Sequence, residues 1–435
     1  MRLFALALLA ACVPSQAELR APVDDELARR VGVPVELAAA DPHALDALLA
    51  KPLDADAAVR IALLHSPRLH AALDELGIAG SELATALAPG PAHVDLMFRH
   101  GGGATEDEIE TIQPVLQLFV GGRARAAARA DLAAARANAA AAALQLAARV
   151  EIAFHELAAA LQEVELRRSA FDAADAAATI RERMHDSGAA TDLAQARDRD
   201  AREQTRLELA RAEADVEARR EDLNALLGLT GEQTKWTASS ALPELPAAAP
   251  ALDDLEQAAV GASLPLAAGR DRASAAANHL GDEQLHAWLP DVGVGVSVID
   301  RDHELEYGPA LRIGLPLFDW RQGPRARARA ELARADHELE ATAVELRARA
   351  RAARIVALEA YQEARHVHDV VLPLRQQIVD ETLLHYNAMD ADPFQLILAR
   401  RELADAGHQY LDALRRYANA MTAVTALRRG AGMER

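Results

Sequence analysis

The chain has 435 residues, of which 51% are apolar but only 3% aromatic, and its net charge is −19. Much of the apolar fraction is alanine, which favours helix and close helix–helix approach but buries too little area per residue to fill an ordinary globular core. This composition excludes collagen, a disulfide scaffold and a polytopic helical membrane protein, and the acidity argues against nucleic-acid binding.

Met1 and Arg2 precede an apolar run, Leu3 to Ala11, that reads as a signal peptide over residues 1–11 and is too short to span a bilayer. It ends Leu9-Ala10-Ala11-Cys12, which resembles a bacterial lipobox, and the only cysteine stands where a diacylglycerol would be attached. The alternative is an ordinary secretory signal cleaved near Ala17 with a chance cysteine. Val13 follows Cys12, whereas an aspartate there would favour inner-membrane retention, so the pattern fits export of a lipidated segment, 12–52, to the outer membrane. One such anchor holds weakly. No later run of about 18 apolar residues occurs, so no transmembrane helix is expected.

From Leu53 the sequence reads as one unit written twice, with a period near 200. Leu118-Phe119 recurs as Leu317-Phe318, Asp131-Leu132 as Glu331-Leu332, and 53–67 is loosely echoed by 252–265. The first repeat covers 53–228, a linker 229–250, the second repeat 251–430 and a tail 431–435. Each repeat has the same plan: two helices, a pair of strands (92–118 and 291–317) and a long helical pair (123–228 and 324–429).

In the second repeat Val292, Val294, Val296 and Val298 alternate with small residues, and Tyr307, Leu311 and Ile313 continue the apolar set. In the first, Val94, Leu96 and Phe98 alternate with His93, Asp95, Met97 and Arg99. The next strand is read with Ile112, Leu116 and Leu118 on its apolar side, weakened by Pro114. Charged loops are expected at 101–107 and 300–306. Each segment is near the roughly 9–11 residues of a tilted membrane strand. Four strands cannot close a barrel, for which about eight are needed. Membrane insertion therefore implies an oligomer, and three chains would supply twelve strands.

Arg123 to His185 contains no proline or glycine, predicting a helix of roughly 90 Å. Val150, Phe154, Leu157, Leu161 and Val164 form a heptad seam. Asp186-Ser187-Gly188 breaks it, and a helix returns over 191–227. The second pair turns over 387–393, and Pro373 is expected to kink its first helix.

The order of these features resembles the TolC family of outer-membrane efflux channels. The match rests on Leu53-Asp54-Ala55-Asp56-Ala57-Ala58-Val59-Arg60-Ile61-Ala62-Leu63 with Ser66-Pro67-Arg68-Leu69, on Leu315-Pro316-Leu317-Phe318-Asp319, and above all on the duplication. Val370-Val371-Leu372-Pro373-Leu374-Arg375 with Tyr386-Asn387-Ala388-Met389 looks most like the heavy-metal and cation efflux branch. The resemblance implies a mainly α fold with a small β part. Duplicated helical hairpins would form an α-barrel tunnel, and four strands per chain would join a trimeric 12-stranded transmembrane β-barrel. It also implies partners, a periplasmic adaptor and an inner-membrane pump, with the hairpin tips at Gly188 and Met389 as adaptor contacts.

Asp192, Asp390 and Asp392 lie near the tips and would form an acidic entrance when repeated by symmetry. Helix capping is the plainer role for Asp192. Met184, His185, His385 and Met389 are candidates for a soft metal ion, with tip packing the plainer reading. Catalytic motifs are wanting: His155-Glu156 opens an HExxH-like stretch but Ala159 occupies the second histidine position. Gly101-Gly102-Gly103 lacks a phosphate-loop lysine, and His366 and His368 point to different helix faces. No catalytic residue and no cofactor is expected. The reading is a passive trimeric exit channel of a tripartite efflux system for metal cations or drugs. The alternatives are a periplasmic coiled-coil adaptor or scaffold lipoprotein, or a type I secretion channel for protein cargo.

Overall fold

The computed structural model describes residues 14–31, 42–88, 90–101, 104–114, 121–288, 291–301, 304–314, 321–391 and 393–432. Cys12, Asp392 and the junction motifs 116–119 and 315–319 lie outside the described residues. In chain order the elements are α1 (Gln16–Val31), α2 (Pro42–Leu49), α3 (Ala55–His65), α4 (Pro67–Leu87), β1 (His93–Gly101), β2 (Ala104–Pro114), α5 (Gly122–Asp186) and α6 (Asp192–Leu227). They continue with α7 (Leu255–Ala262), α8 (Leu264–His286), β3 (Asp291–Arg301), β4 (Glu304–Gly314), α9 (Gln322–His366), a π turn (Val367–Val371), α10 (Leu372–Asn387) and α11 (Pro393–Arg428).

The chain forms two compact units that each draw on both sequence repeats. One comprises Met1–Arg29, Ala71–Ala141 and Leu264–Glu345, and the other Arg30–His70, Ala142–Ser263 and Leu346–Arg435. The first holds all four described strands, in one antiparallel sheet of order β1-β2-β3-β4, where the β2–β3 pairing joins the two repeats. Strand pairing runs out to Gly101↔Ala104 and Arg301↔Glu304. The segments expected as charged loops are thus mostly strand. Charged side chains stand out from a strand on either face and leave the backbone free to pair. Pro114 sits at the last position of β2, where a missing N–H costs little. In the same unit α1 buries Leu19 and Val23, and Gly80 of α4 leaves the space that Leu19 fills, since a Cβ there would lie 2.8 Å from Leu19 Cδ1.

The second unit is helical. Asp54 caps α3 by accepting from the Ala57 N–H at 2.7 Å, and of the heptad α5 buries Val150, Phe154, Leu157 and Val164 and half-buries Leu161. The linker is packed. Leu53 and residues 237–239 exchange two 2.8 Å backbone bonds, and the buried Trp236 donates from Nε1 to Asn224 Oδ1 at 2.9 Å. Gly228 and Gly430 end α6 and α11 with φ of 74° and 89°. Each lies against the carbonyl of the residue before the buried serine that ends a short helix: His65 before Ser66, and Ala262 before Ser263. A Cβ at either glycine would strike that oxygen.

At Pro373, where a kink is expected, the helix passes through a π turn. The π turn lies just upstream, and the Leu372 N–H reaches back five residues to the Val367 carbonyl. A widened turn absorbs the register change next to a residue with no N–H to give. It also shifts the repeat: strand starts Ala104 and Glu304 are 200 apart, whereas the tip residues Gly188 and Met389 are 201 apart.

Candidate channel surfaces

Directly paired residues of an antiparallel sheet share a face. One row runs Leu96↔Ile109↔Val298↔Tyr307, and another Val94↔Thr111↔Val296↔Pro309. Over these rows the face is apolar and open: Leu96, Val296 and Leu311 are exposed, and Tyr307 is 85% exposed; the further row Phe98↔Asp107↔Asp300↔Leu305 ends the apolar stretch by putting two aspartates on it. The opposite face carries charge. Glu106, Glu108 and Glu110 occupy alternate positions of β2 beside Asp95. Arg312 reaches Asp95 and Glu110, Arg99 reaches Glu106 at 3.2 Å, and Arg301 lies between Glu106 and Glu306 at 3.5 and 3.6 Å. Ser297 Oγ donates to Glu108 at 2.9 Å.

One strand face differs from expectation. Ile112 lies on the charged side, buried in the space left by the absent side chain of Gly293. Ile109 and Thr111 supply the apolar side of β2. Its parity is fixed by two partner strands at once, so the majority of their apolar positions decides it. β1 and β4 are the sheet's edges, each paired on one side among the described residues.

The two hairpin tips share one backbone turn. At the first, the Gly188 N–H donates to His185 O at 2.8 Å and the Ala189 N–H to Met184 O at 2.7 Å. At the second, Met389 donates to Tyr386 O at 3.0 Å and Asp390 to His385 O at 2.9 Å. This is the left-handed helix stop usually made with glycine. Gly188 has φ 79°, and Met389 takes φ 63° although it is not glycine. Each tip places an imidazole against a carboxylate: His185 Nε2 with Asp192 Oδ1 at 2.7 Å, and His385 Nδ1 with Asp390 Oδ2 at 3.0 Å. Thr191, rather than Asp192, caps α6, accepting from the Ala194 N–H. Among the described residues, no cluster of three His, Cys, Asp or Glu side chains is arranged to hold a metal ion. Met184 and His185 belong to one tip, and His385 and Met389 to the other.

His155 and Glu156 sit in a packed seam. Burial pushes the His155 imidazole below its ordinary pKa, against the smaller opposing influences of Glu151, Asn419 and Glu156. Glu156 is held by Arg415, by Asn419 at 2.6 Å and by Arg219 at 3.5 Å. His368 pairs with Asp369 at 2.8 Å and stacks near Tyr410, with centroids 5.4 Å apart.

Comparison with solved structures finds this fold in bacterial channels. The outer membrane protein VceC of Vibrio cholerae matches with a TM-score of 0.71 and 18% identity, over 87% of this chain and 97% of that one. CusC, described in work on transmembrane channel formation, matches at 0.65 and 14% identity over 87% and 92%. The CmeC outer membrane channel of Campylobacter jejuni matches at 0.66 and 14% over 97% and 89%. No family profile and no curated protein matches. The chain therefore has the outer-membrane channel fold, mainly helical with a small four-stranded sheet, as the duplication and strand count imply.

Proposed function

We propose that the chain is a passive exit duct of a tripartite efflux system, acting as an outer-membrane homotrimer. The observation that carries this reading is the sheet, with one open apolar face, one charged face and two unclosed edges. An apolar face of that extent is stable in lipid and costly in water. Edge strands β1 and β4 invite pairing with further copies. Three chains would bring twelve strands, apolar side outward and charged side around a lumen. Lipidation at Cys12 would add an anchor. The likeness to VceC, CusC and CmeC supports the same reading through fold.

The tips at Gly188 and Met389 are the surfaces we assign to a periplasmic adaptor fed by an inner-membrane pump, which would provide the transport energy. Asp192, Asp390 and Asp392 would line the entrance and favour metal cations or cationic drugs as cargo. The tip geometry favours docking over metal capture, because both tip imidazoles already face carboxylates. Copper binding that is lost in His385→Ala and Met389→Ala would reverse that preference. Detergent extraction, mass measurement and planar-bilayer recording test the whole: a conducting trimer is expected, and a soluble periplasmic monomer would overturn it.

A further inference from the structure

Where α3 turns into α4, the backbone of Ser66 is fully engaged. Its N–H donates to Ala62 O at 2.9 Å, and its carbonyl accepts from the Leu69 and His70 N–H groups at 3.1 Å each. Its side chain is not engaged. Ser66 is 2% exposed, yet its hydroxyl makes no hydrogen bond among the described residues. A buried hydroxyl without a partner is costly unless something outside the chain bonds to it. Ser66 lines a cavity of about 190 Å³ inside the second unit. Arg68 of α4, Arg149 of α5 and Asp222 of α6 line it too, with the buried Leu69 and Leu146 in its apolar wall. The volume is several times the roughly 30 Å³ share of one water and below the roughly 300–1,000 Å³ of drug-sized sites, so it suits a small polar group. Neither guanidinium, nor the Asp222 carboxylate, has an ion pair or hydrogen bond among the described residues. Other arginines of this unit are paired, as Arg167, Arg181 and Arg415 are. Close packing fixes the corner: a Cβ on Gly228, at the end of α6, would lie 2.8 Å from His65 O and 2.9 Å from Pro67 Cδ.

The duplication supplies a comparison within the chain. The second repeat builds the same corner without the unpaired charges. Two residues past its own buried serine, Ser263, stands Pro265 in place of Arg68. Asp222 stands six residues before the cap Gly228, and Val424, 1% exposed, stands six before Gly430. Ser263 and Arg349, the counterpart of Arg149, are both engaged. Glu345 stands four residues before Arg349, whereas Gln145 stands four before Arg149 and gives its amide to Gly432 O. Two unpaired arginines and an open hydroxyl therefore belong to repeat one alone. Helix packing, which both repeats share, does not account for them.

We propose that this cavity binds a phosphate group, with Arg68 and Arg149 on its oxygens and the Ser66 hydroxyl donating to a further one. Guanidinium forks match phosphate oxygens. The N-terminal end of α4 adds a partial positive charge beside Arg68. Two arginines against one aspartate leave the lining a net charge of +1, which a monoanion neutralises. The Asp222 carboxylate then accepts from a P–OH, or from the ammonium of an esterified headgroup. Free phosphate and a phosphodiester headgroup offer this same chemistry. The site goes beyond the exit-duct reading and does not depend on it, since one chain supplies every residue.

The test is calorimetric titration of the detergent-solubilised full chain at constant ionic strength with inorganic phosphate, glycerophosphoethanolamine and acetate. Saturable binding of phosphate or of the ester, tighter than that of acetate, is expected, and the tighter of the two identifies the source. No saturable binding of either, or acetate bound as tightly, would overturn the proposal. Arg68→Gln and Arg149→Gln should each weaken binding about tenfold or more, and Ser66→Ala several-fold. Arg206→Gln removes a guanidinium that is 70% exposed and outside the cavity, and should leave binding unchanged. An equal loss there would reduce the effect to general charge attraction and reject the site. The unaltered chain gives a second reading that requires no variant to fold. Phenylglyoxal should modify Arg68 and Arg149, and phosphate should slow that modification but not the one at Arg206, as read by peptide mass. Rates at Arg68 and Arg149 that are the same with and without phosphate would equally sink the proposal.

Discussion

A methionine at φ 63° stores backbone strain that its partner turn avoids, since Gly188 holds the same position at no steric cost. Met389→Gly should stabilise the second tip by about 1 kcal/mol, read as slower amide exchange over 385–390. Gly188→Met should loosen the first tip to a similar degree. The Met389 side chain is 96% exposed and touches little, so packing does not explain the strain. Strain kept at an exposed tip fits a docking role. If so, Met389→Gly gains stability and loses adaptor affinity together, and a pull-down in which the variant binds the adaptor as well as the parent would reject that role. His155 makes a separate prediction. Burial lowers its pKa from the ordinary imidazole value of 6.5, so below that pH the unfolded chain takes up the proton that the folded chain resists. Its effect on stability is absent above that pH, and stability is lost as pH falls from there toward the depressed folded value. His155→Gln should flatten the acid side of the stability profile in chemical denaturation at pH 7.5 and 5.5. A parallel loss in both proteins would exclude His155 as the cause.

At the scale of elements, the sequence was most informative where one periodicity ruled. The 65-residue helix α5 follows from a stretch, 123–185, without proline or glycine and from the heptad over 150–164, and the Gly188 turn from the break at 186–188. The strands of repeat two were legible because four valines alternate. β2 was not, because Ile109, Thr111 and Ile112 offer two parities and only pairing with β1 and β3 selects one. The π turn was invisible for a different reason. Pro373 signals a helix problem, but nothing local says whether a kink or a widened turn resolves it, and the 201-residue spacing of the tips is the one trace in the chain. The strand faces carry a direct test. Val296→Arg places a charge on the apolar side and should cost about 2–4 kcal/mol of insertion into lipid if it lies near the midplane. Ser297→Arg, one residue on, points to the charged side beside Glu108 and should insert normally. Heat-modifiable mobility in outer-membrane fractions distinguishes the two, and equal insertion of both variants would show that neither face meets lipid.

For the whole molecule the acidity of −19 needs a location as well as a total. Many of the acidic side chains are neutralised locally along the helices, in pairs such as Arg167 with Glu163 and Glu208, and Arg181 with Asp198 at 2.7 Å, and the net charge is what such pairing leaves over. These half-buried pairs cancel charge over a few ångströms and so contribute little net field. Unbalanced charge is a better candidate for function, and two places among the described residues carry part of it. One is the charged face of the sheet, where Asp95, Glu106, Glu108 and Glu110 meet Arg99, Arg301 and Arg312 in partial compensation. The other is the tips, where Asp192 is 97% exposed and, among the described residues, has an imidazole as its partner. Threefold repetition would turn each into a ring, and rings of fixed charge set ion preference by raising the local concentration of counter-ions. The two sites separate by experiment. Asp192→Asn with Asp390→Asn and Asp392→Asn should reduce the cation preference measured as reversal potential under a salt gradient, with strand pairing untouched. Glu106→Gln with Glu110→Gln should reduce it further and release Arg301 and Arg312. The shift should shrink as salt rises, because the Debye length falls from about 30 Å at 0.01 M to about 3 Å at 1 M. A reversal potential unchanged in both sets at low salt would mean that the excess negative charge lies outside the conducting path.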